Sequence, residues 1–191
     1  MRIPREFLTV GLATIVMLGA TGRTAAQDPQ HMQRDTARGA LRVPESLRIE
    51  HEEIHSQLIA ATRVPGSVGV AARDLAKVLH PHFVREEQIA LPPLGLLLPL
   101  SRGEMQPGFG AVLPMTDSLR AEMPRMLDEH RAIRAATLRM RAVARARRNV
   151  AIAQLADKLA LHAQSEEEIF YPAAMLVGDL VRSHLQATPA P

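Results

Sequence analysis

The sequence contains no cysteine, no tryptophan and only one tyrosine, and these absences exclude several classes of protein. Without cysteine the chain has no disulfide, no thiolate metal site and no lipid attached through sulfur. Its few aromatic residues do not interleave with basic ones, so nothing favours nucleic-acid binding. Neither a nucleophilic serine motif nor a glycine-rich phosphate loop is found, which argues against hydrolases and nucleotide-using enzymes.

A long hydrophobic run is also lacking, because the apolar segment near the N-terminus is too short to span a membrane. Residues 7–20, FLTVGLATIVMLGA, follow two arginines and precede the small residues of TGRTAA. A spanning helix needs about 20 apolar residues, whereas this order is typical of a secretory signal. We therefore predict a signal peptide over residues 1–26, export to the periplasm or beyond, and no stable membrane insertion after cleavage. An uncleaved anchor is the alternative.

The rest of the chain predicts an all-α protein. Residues 27–43 are polar and aperiodic, which indicates a flexible lead-in. Apolar residues then recur at helical spacing in four stretches, and strand signals are absent. The stretches are 44–63, 67–91, 116–148 and 150–185, with a Leu-, Pro- and Gly-rich link over 92–114. Two short turns and one long link predict an up-and-down four-helix bundle over 44–186.

Histidine and glutamate interrupt the apolar face of every predicted helix. Burying carboxylates among leucines is costly unless each finds a partner or a cation. We therefore predict a metal site between the helices. The interrupting residues are His51 on the first helix, His82 and Glu86 on the second, His130 on the third, and His162 and Glu166 on the fourth.

The first helix also contains H-E-x-x-H, the zinc-protease signature, from His51 to His55. An internal repeat argues against that interpretation. HFVREEQIALP matches HAQSEEEIFYP 80 residues later, and EHEEI matches EHRAI, in which arginine replaces the catalytic glutamate. The shared feature is therefore Glu-His-x-x-Ile. A protease with Glu86 or Glu87 as third zinc ligand is the remaining alternative.

These four motifs, EHEEIH, HFVREEQIALP, DEHRAI and HAQSEEEIFYP, resemble those of hemerythrin-like (HHE cation-binding) domains and span about 45–180. The resemblance implies a four-helix bundle that holds two iron ions in a non-haem di-iron centre. It further implies bridging carboxylates at Glu86 and Glu166. The implied imidazole ligands are His51, His82, His130 and His162. Zinc or manganese would also suit this mixture of imidazole and carboxylate.

The sequence departs from oxygen-carrying hemerythrins on the third helix, where Arg134 stands in place of a second histidine. The repeat makes His55 a further candidate ligand. One metal would then take His51, His55 and His82. The other would take only His130 and His162, and would keep an open position near Arg134.

Glutamates next to the ligands are candidate acceptors for the outer ring nitrogens of the histidines, although each is also explained as a solvated charge. They are Glu50, Glu87, Glu129 and Glu167. Tyr171 follows the run of glutamates and could reach the site, although anchoring the fourth helix is the favoured interpretation, and His80 is expected to face away from the site.

The function expected from this pattern is that of an exported di-metal protein that binds, senses or reacts with dioxygen or a related small oxidant. A metal-binding or iron-buffering protein without turnover is one alternative. A di-iron oxidase, peroxidase or nitric oxide-handling enzyme is the other. The pattern favours a metal- and oxygen-binding protein over an enzyme.

Overall fold

The computed structural model of the protein describes residues 41–187, and over that range it is helical without strands. The predicted signal peptide and the predicted lead-in up to residue 40 lie outside the described residues. The main helices are α1 (Glu45–Thr62), α2 (Ser67–Ile89), α3 (Leu113–Ala146), α4 (Val150–Ser165) and α5 (Tyr171–Ala187). A π-helical segment, Glu166–Phe170, joins α4 to α5, so these two helices together are the predicted fourth helix.

Local sequence explains where the helices begin and end. Pro44 has an extended ψ of 135° and precedes the first residue of α1, and a proline is well tolerated there because it has no N–H to satisfy. Gly66 has a φ of 77°, a left-handed conformation that favours glycine, in the turn before α2. The Asn149 side chain accepts a hydrogen bond from the Ile152 N–H at 3.2 Å and caps α4. The third helix begins at Leu113 rather than at the predicted Thr116.

The four helices pack together with neighbours antiparallel, as predicted. Between α2 and α3, Arg85 binds Glu122 and His82 faces Glu129, so numbering rises along one helix as it falls along the other. The same opposite order holds between α1 and α2, between α3 and α4, and between α4 and α1. Each helix therefore turns one face toward a shared interior.

Two apolar clusters fill that interior on either side of a polar layer. The larger cluster includes Leu58 of α1, Leu79 of α2 and Leu159 of α4. The second includes Ile89, Met126 and Tyr171. The histidines and glutamates predicted to bind metal lie between these clusters along each helix, for example His130 between Met126 and Ile133. Apolar packing on both sides keeps water away from that layer.

The link between α2 and α3 is more structured than the sequence indicated. It contains two 3₁₀ segments, Pro92–Leu96 and Pro107–Val112, and a short helix, Leu97–Ser101. Leu96 and Phe109 form a third apolar cluster with Val181 of α5. The link thus covers one end of the bundle. Within residues 41–187, no helix combines the length and the hydropathy needed to cross a bilayer.

Gly178 of α5 marks a close approach to α3 and gives a test of the packing. A Cβ added there would lie 2.7 Å from the Thr116 Cβ, and the buried Thr116 cannot move aside. Overpacking of this kind outweighs the gain in helix propensity from alanine, so Gly178→Ala is expected to lower the free energy of unfolding by about 1–2 kcal/mol. Urea denaturation measures the change.

A double-mutant cycle identifies the cause of that loss. In a Thr116→Gly background all three threonine atoms that the new Cβ would meet, the hydroxyl oxygen, the Cβ and the Cγ2, are gone. The cost of Gly178→Ala should then fall to less than half of its original value. An unchanged cost would contradict the packing explanation.

Candidate metal centre

Six ionisable side chains are buried in one layer at the middle of the bundle, and each is at most 3% exposed. Among the described residues, they are the only buried side chains of an ionisable type other than tyrosine. They are the six residues that the sequence predicted: His51, His82, Glu86, His130, His162 and Glu166. All four helices of the bundle therefore contribute to the layer.

Helical periodicity places these residues together. On α2, His82 and Glu86 are four residues apart, so both project from one face. His162 near the end of α4 and Glu166 at the start of the π-helical segment repeat that arrangement. Single turns of α-helix converted to π are frequent at functional sites. Here the π-helical segment carries Glu166 and ends just before Tyr171.

The six residues form two groups of ligand atoms, and in each group all atoms lie within 4.8 Å of one another. One group contains His82, Glu86, His130 and Glu166, and the other contains His51, His162 and Glu166. Glu166 is therefore the residue that the groups share. Its Oε2 lies 3.3 Å from the His130 Nε2, and its Oε1 lies 2.8 Å from the His162 Nε2.

This division differs from the one that the sequence repeat suggested. His82 pairs with His130, with 2.8 Å between their Nε2 atoms, and His51 pairs with His162. Each pair thus joins one half of the repeat to the other. Glu86 belongs to one group only, whereas the resemblance implied that it bridges both.

Several ring nitrogens and carboxylate oxygens of the layer have no hydrogen-bond partner in the protein. Both ring nitrogens of His51 and of His162 lack a hydrogen bond, as do one oxygen of Glu86 and one of Glu166. Buried polar atoms are nearly always hydrogen-bonded, and leaving one unpaired costs about 1–3 kcal/mol. Converging unpaired imidazoles and carboxylates are the donors that a transition metal ion would satisfy.

The outer nitrogen of every histidine in the layer faces a glutamate on a neighbouring helix. The Nδ1 atom of His82 lies 2.9 Å from Glu129, and that of His130 lies 2.7 Å from Glu167. In the other group the corresponding distances are 3.6 Å from His51 to Glu87 and 3.5 Å from His162 to Glu50. These four glutamates were the sequence candidates for that position. At hydrogen-bonding distance, as for His82 and His130, such a partner orients the imidazole so that its inner nitrogen is free to bind metal.

Tyr171 takes part in the site, which differs from its predicted role as an anchor. The side chain is 1% exposed, and its hydroxyl donates a hydrogen bond to Glu86 and lies 3.2 Å from the His130 Nε2. The repeat places Leu91 at the equivalent position in the first half of the chain. The Tyr171 hydroxyl therefore contacts the His82–His130 group, whereas Leu91 has no hydroxyl to make the equivalent contact.

Burial and neighbouring charges shift the pKa values of this layer. Burial raises the pKa of Glu86, and the nearby Glu166 charge raises it further. For Glu166 burial acts in the same direction, but the close approach of the His130 and His162 rings holds its pKa well below the usual range. Without metal, the two carboxylates therefore differ in their tendency to bind a proton.

The pKa values of His82 and Tyr171, which both contact Glu86, are also shifted. Burial by itself would lower the pKa of His82, but the hydrogen bond and charge of Glu86, followed by Glu129, raise it to about 9. Burial, together with the charges of Glu86 and Glu166, raises the pKa of Tyr171 far above its ordinary value. Without metal, His82 and Tyr171 thus keep their protons at neutral pH, and a metal ion bound to His82 would displace one proton.

Two further residues considered from the sequence lie outside the layer. His55 is exposed and belongs to neither group, because its ring stacks on that of His80 at 5.6 Å instead. His80 likewise faces away from the layer, as predicted. Arg134 donates a hydrogen bond at 2.6 Å to Glu167, the partner of His130, and so contacts the layer through that carboxylate.

Comparison with known proteins adds no identification. No protein-family model, curated protein or solved structure matches this chain. The resemblance to hemerythrin-like domains therefore stays a prediction from the four sequence motifs. What the structure establishes is a bundle of four helices with buried histidine and glutamate groups that could hold metal.

Proposed function

We propose that the chain is a di-metal protein of the hemerythrin-like type, with one ion in each group of ligands and Glu166 shared between them. The observation that carries the proposal is the set of six converging buried side chains, four of which (His51, Glu86, His162 and Glu166) have atoms without a hydrogen-bond partner in the protein. A structural histidine in an apolar core would need only a neutral hydrogen bond. Two buried carboxylates among four imidazoles are better explained by cations.

The charges around the layer support two cations rather than one. Glu86 and Glu166 supply two negative charges inside the layer, and the four outer glutamates add more at the Nδ1 atoms. A single divalent ion would leave one group of imidazoles without a partner. Two divalent ions would satisfy both groups, and the surrounding carboxylates would offset their charge.

We propose iron as the metal because the four motifs resemble those of hemerythrin-like domains, which hold iron, and zinc and manganese are alternatives. Imidazole and carboxylate ligands are common to all three metals, whereas the absence of sulfur ligands disfavours copper(I). Bound iron would supply redox chemistry with dioxygen. The chain's own residues would bind the ions, orient the imidazoles through Nδ1, exclude water with apolar packing and hold a proton at the Tyr171 hydroxyl beside Glu86.

The activity that we propose is binding, sensing or reaction with dioxygen or a related small oxidant. Metal buffering without turnover, and oxidase, peroxidase or nitric oxide-handling activity, would use the same ligands. Export through the predicted signal peptide is part of this proposal, and the mature protein would then acquire its metal outside the cytoplasm.

Anaerobic reconstitution separates these functions. The metal-free chain is loaded with ferrous iron, its iron content is measured, and its absorption spectrum is followed as dioxygen is added and removed. We expect two irons per chain and a spectral change that reverses when dioxygen is removed. Repeated consumption of oxidant would favour an enzyme, and an unchanged spectrum with two irons would favour buffering. One zinc per chain with no iron uptake would contradict the di-iron proposal.

A further inference from the structure

The exposed His55 and His80 form a pair of imidazoles that the buried layer does not use. They lie on α1 and α2, and their ring centroids are 5.6 Å apart with 26° between the ring planes. Neither ring is held by a buried partner, since both side chains are exposed. His55 is the histidine that remains of the H-E-x-x-H pattern once His51 is assigned to the layer.

The separation of the two rings fits one shared metal ion. A zinc-like ion binds imidazole nitrogen at about 2.0–2.1 Å, which places each ring centroid about 3.2 Å from the metal. At a near-tetrahedral angle, two such centroids would be about 5–5.5 Å apart. The observed separation of 5.6 Å is close to that value, and because the rings are stacked at 26°, their nitrogens would converge on an ion only after the rings turn.

A surface cleft connects this pair with the buried layer. The cleft has a volume of about 270 Å³ and is lined by both histidines and by His51, Glu52 and Glu87. Glu52 lies one turn before His55 on α1, and one of its carboxylate oxygens is paired with Arg48, which also lines the cleft, at 3.0 Å. Glu87 is 54% exposed and lies 3.6 Å from the His51 Nδ1, so it reaches from the cleft to the layer.

Phe83 lines the cleft beside His51. Its ring stacks on that of His51 with 4.1 Å between centroids and 18° between planes. The ring is 5% exposed, so it covers one face of the His51 ring where the cleft meets the layer. Histidine and glutamate thus mark both ends of a short path from solvent to the layer.

We propose that His55 and His80 form a solvent-facing docking site for a divalent transition metal ion, through which the ion reaches the buried layer. Imidazole selects ions such as ferrous iron, cobalt or zinc over magnesium and calcium. The delivery role rests on the proposed di-metal function, whereas metal binding by the pair itself does not.

Cobalt(II) uptake by the metal-free chain tests the proposal. Stopped-flow absorption records the cobalt bands as the buried layer fills, and calorimetric titration counts the equivalents bound. The double variant His55→Ala/His80→Ala is compared with wild type and with His184→Ala, an exposed histidine at the end of α5. We expect uptake about tenfold slower in the double variant, at the low end of what a raised local cation concentration achieves. The double variant should reach the same final absorbance as wild type. In the calorimetric titration it should bind one weakly held equivalent of cobalt fewer.

The remaining outcomes each decide a different point. Equal uptake rates and equal equivalents in all three proteins would overturn the docking site. A lower final absorbance in the double variant would also overturn it, because one of these histidines would then belong to the buried centre. A wild type that binds only the weaker equivalent, and loses it in the double variant, would refute the di-metal function but support metal binding by the pair.

Discussion

Replacing Glu166 with alanine is expected to lower metal affinity at both positions by more than about 100-fold, so that the purified variant contains almost no metal. Removing an outer partner of a ligand already costs about 10–100-fold, and Glu166 supplies ligand atoms directly. It is also the residue that both groups contain, with oxygens at 2.8 Å from His162 and 3.3 Å from His130. One substitution should therefore empty two positions.

Glu86 and Glu168 provide a graded comparison. Glu86 belongs only to the His82–His130 group, so Glu86→Ala is expected to retain one metal ion. Glu168 is exposed on the same turn as Glu166 and accepts a hydrogen bond from Gln164 at the surface. Glu168→Ala should retain both ions. Elemental analysis after anaerobic loading should therefore give two, one and none for Glu168→Ala, Glu86→Ala and Glu166→Ala respectively.

The isosteric variant Glu166→Gln tests whether metal loss in Glu166→Ala results from misfolding. It keeps the volume of the buried side chain and removes its charge. Far-ultraviolet circular dichroism should report the same helix content as in wild type, while the metal is still lost. A folded Glu166→Gln protein that retains two ions would show that the carboxylate is not shared between them. Loss of one ion in each of Glu86→Ala and Glu166→Ala would lead to the same conclusion.

The identities of the buried histidines and glutamates could be predicted because helical spacing decides which side chains share a face. His82 and Glu86 lie four residues apart, and a polar pair at that spacing on an apolar stripe has to face the interior. Their outer partners follow from the same geometry. Glu129 immediately precedes His130, so it lies about 100° around α3 and faces His82 on the neighbouring helix.

The division of the ligands into groups could not be predicted, because it depends on contacts between helices that are distant in sequence. The repeat favoured pairs within each half of the chain, whereas His82 meets His130 and His51 meets His162 across the two halves. The π-helical segment was also missed, since no residue type marks it. The sequence did place a tyrosine three residues past a run of glutamates, and this signal made Tyr171 a residue that could reach the site.

Removing metal from the wild-type protein is expected to lower its thermal midpoint by about 10–20 °C. An ion present at 100 times its dissociation constant stabilises the folded state by about 2.7 kcal/mol, so two ions contribute about 5 kcal/mol. For a chain of this size, each kcal/mol shifts the midpoint by about 2–4 °C. The physical source is the buried layer, whose unpaired imidazoles and carboxylates destabilise the fold until cations satisfy them.

Calorimetry with and without a chelator measures the shift, and three controls assign it to the layer. Restoring ferrous iron should restore the midpoint, whereas magnesium should not, because it prefers oxygen ligands and retains its water. Glu166→Ala should melt at the same temperature with and without chelator. Stabilisation of Glu166→Ala by iron to the wild-type extent would place the stabilising ions elsewhere on the chain, and the exposed pair at His55 and His80 would then be the first site to test.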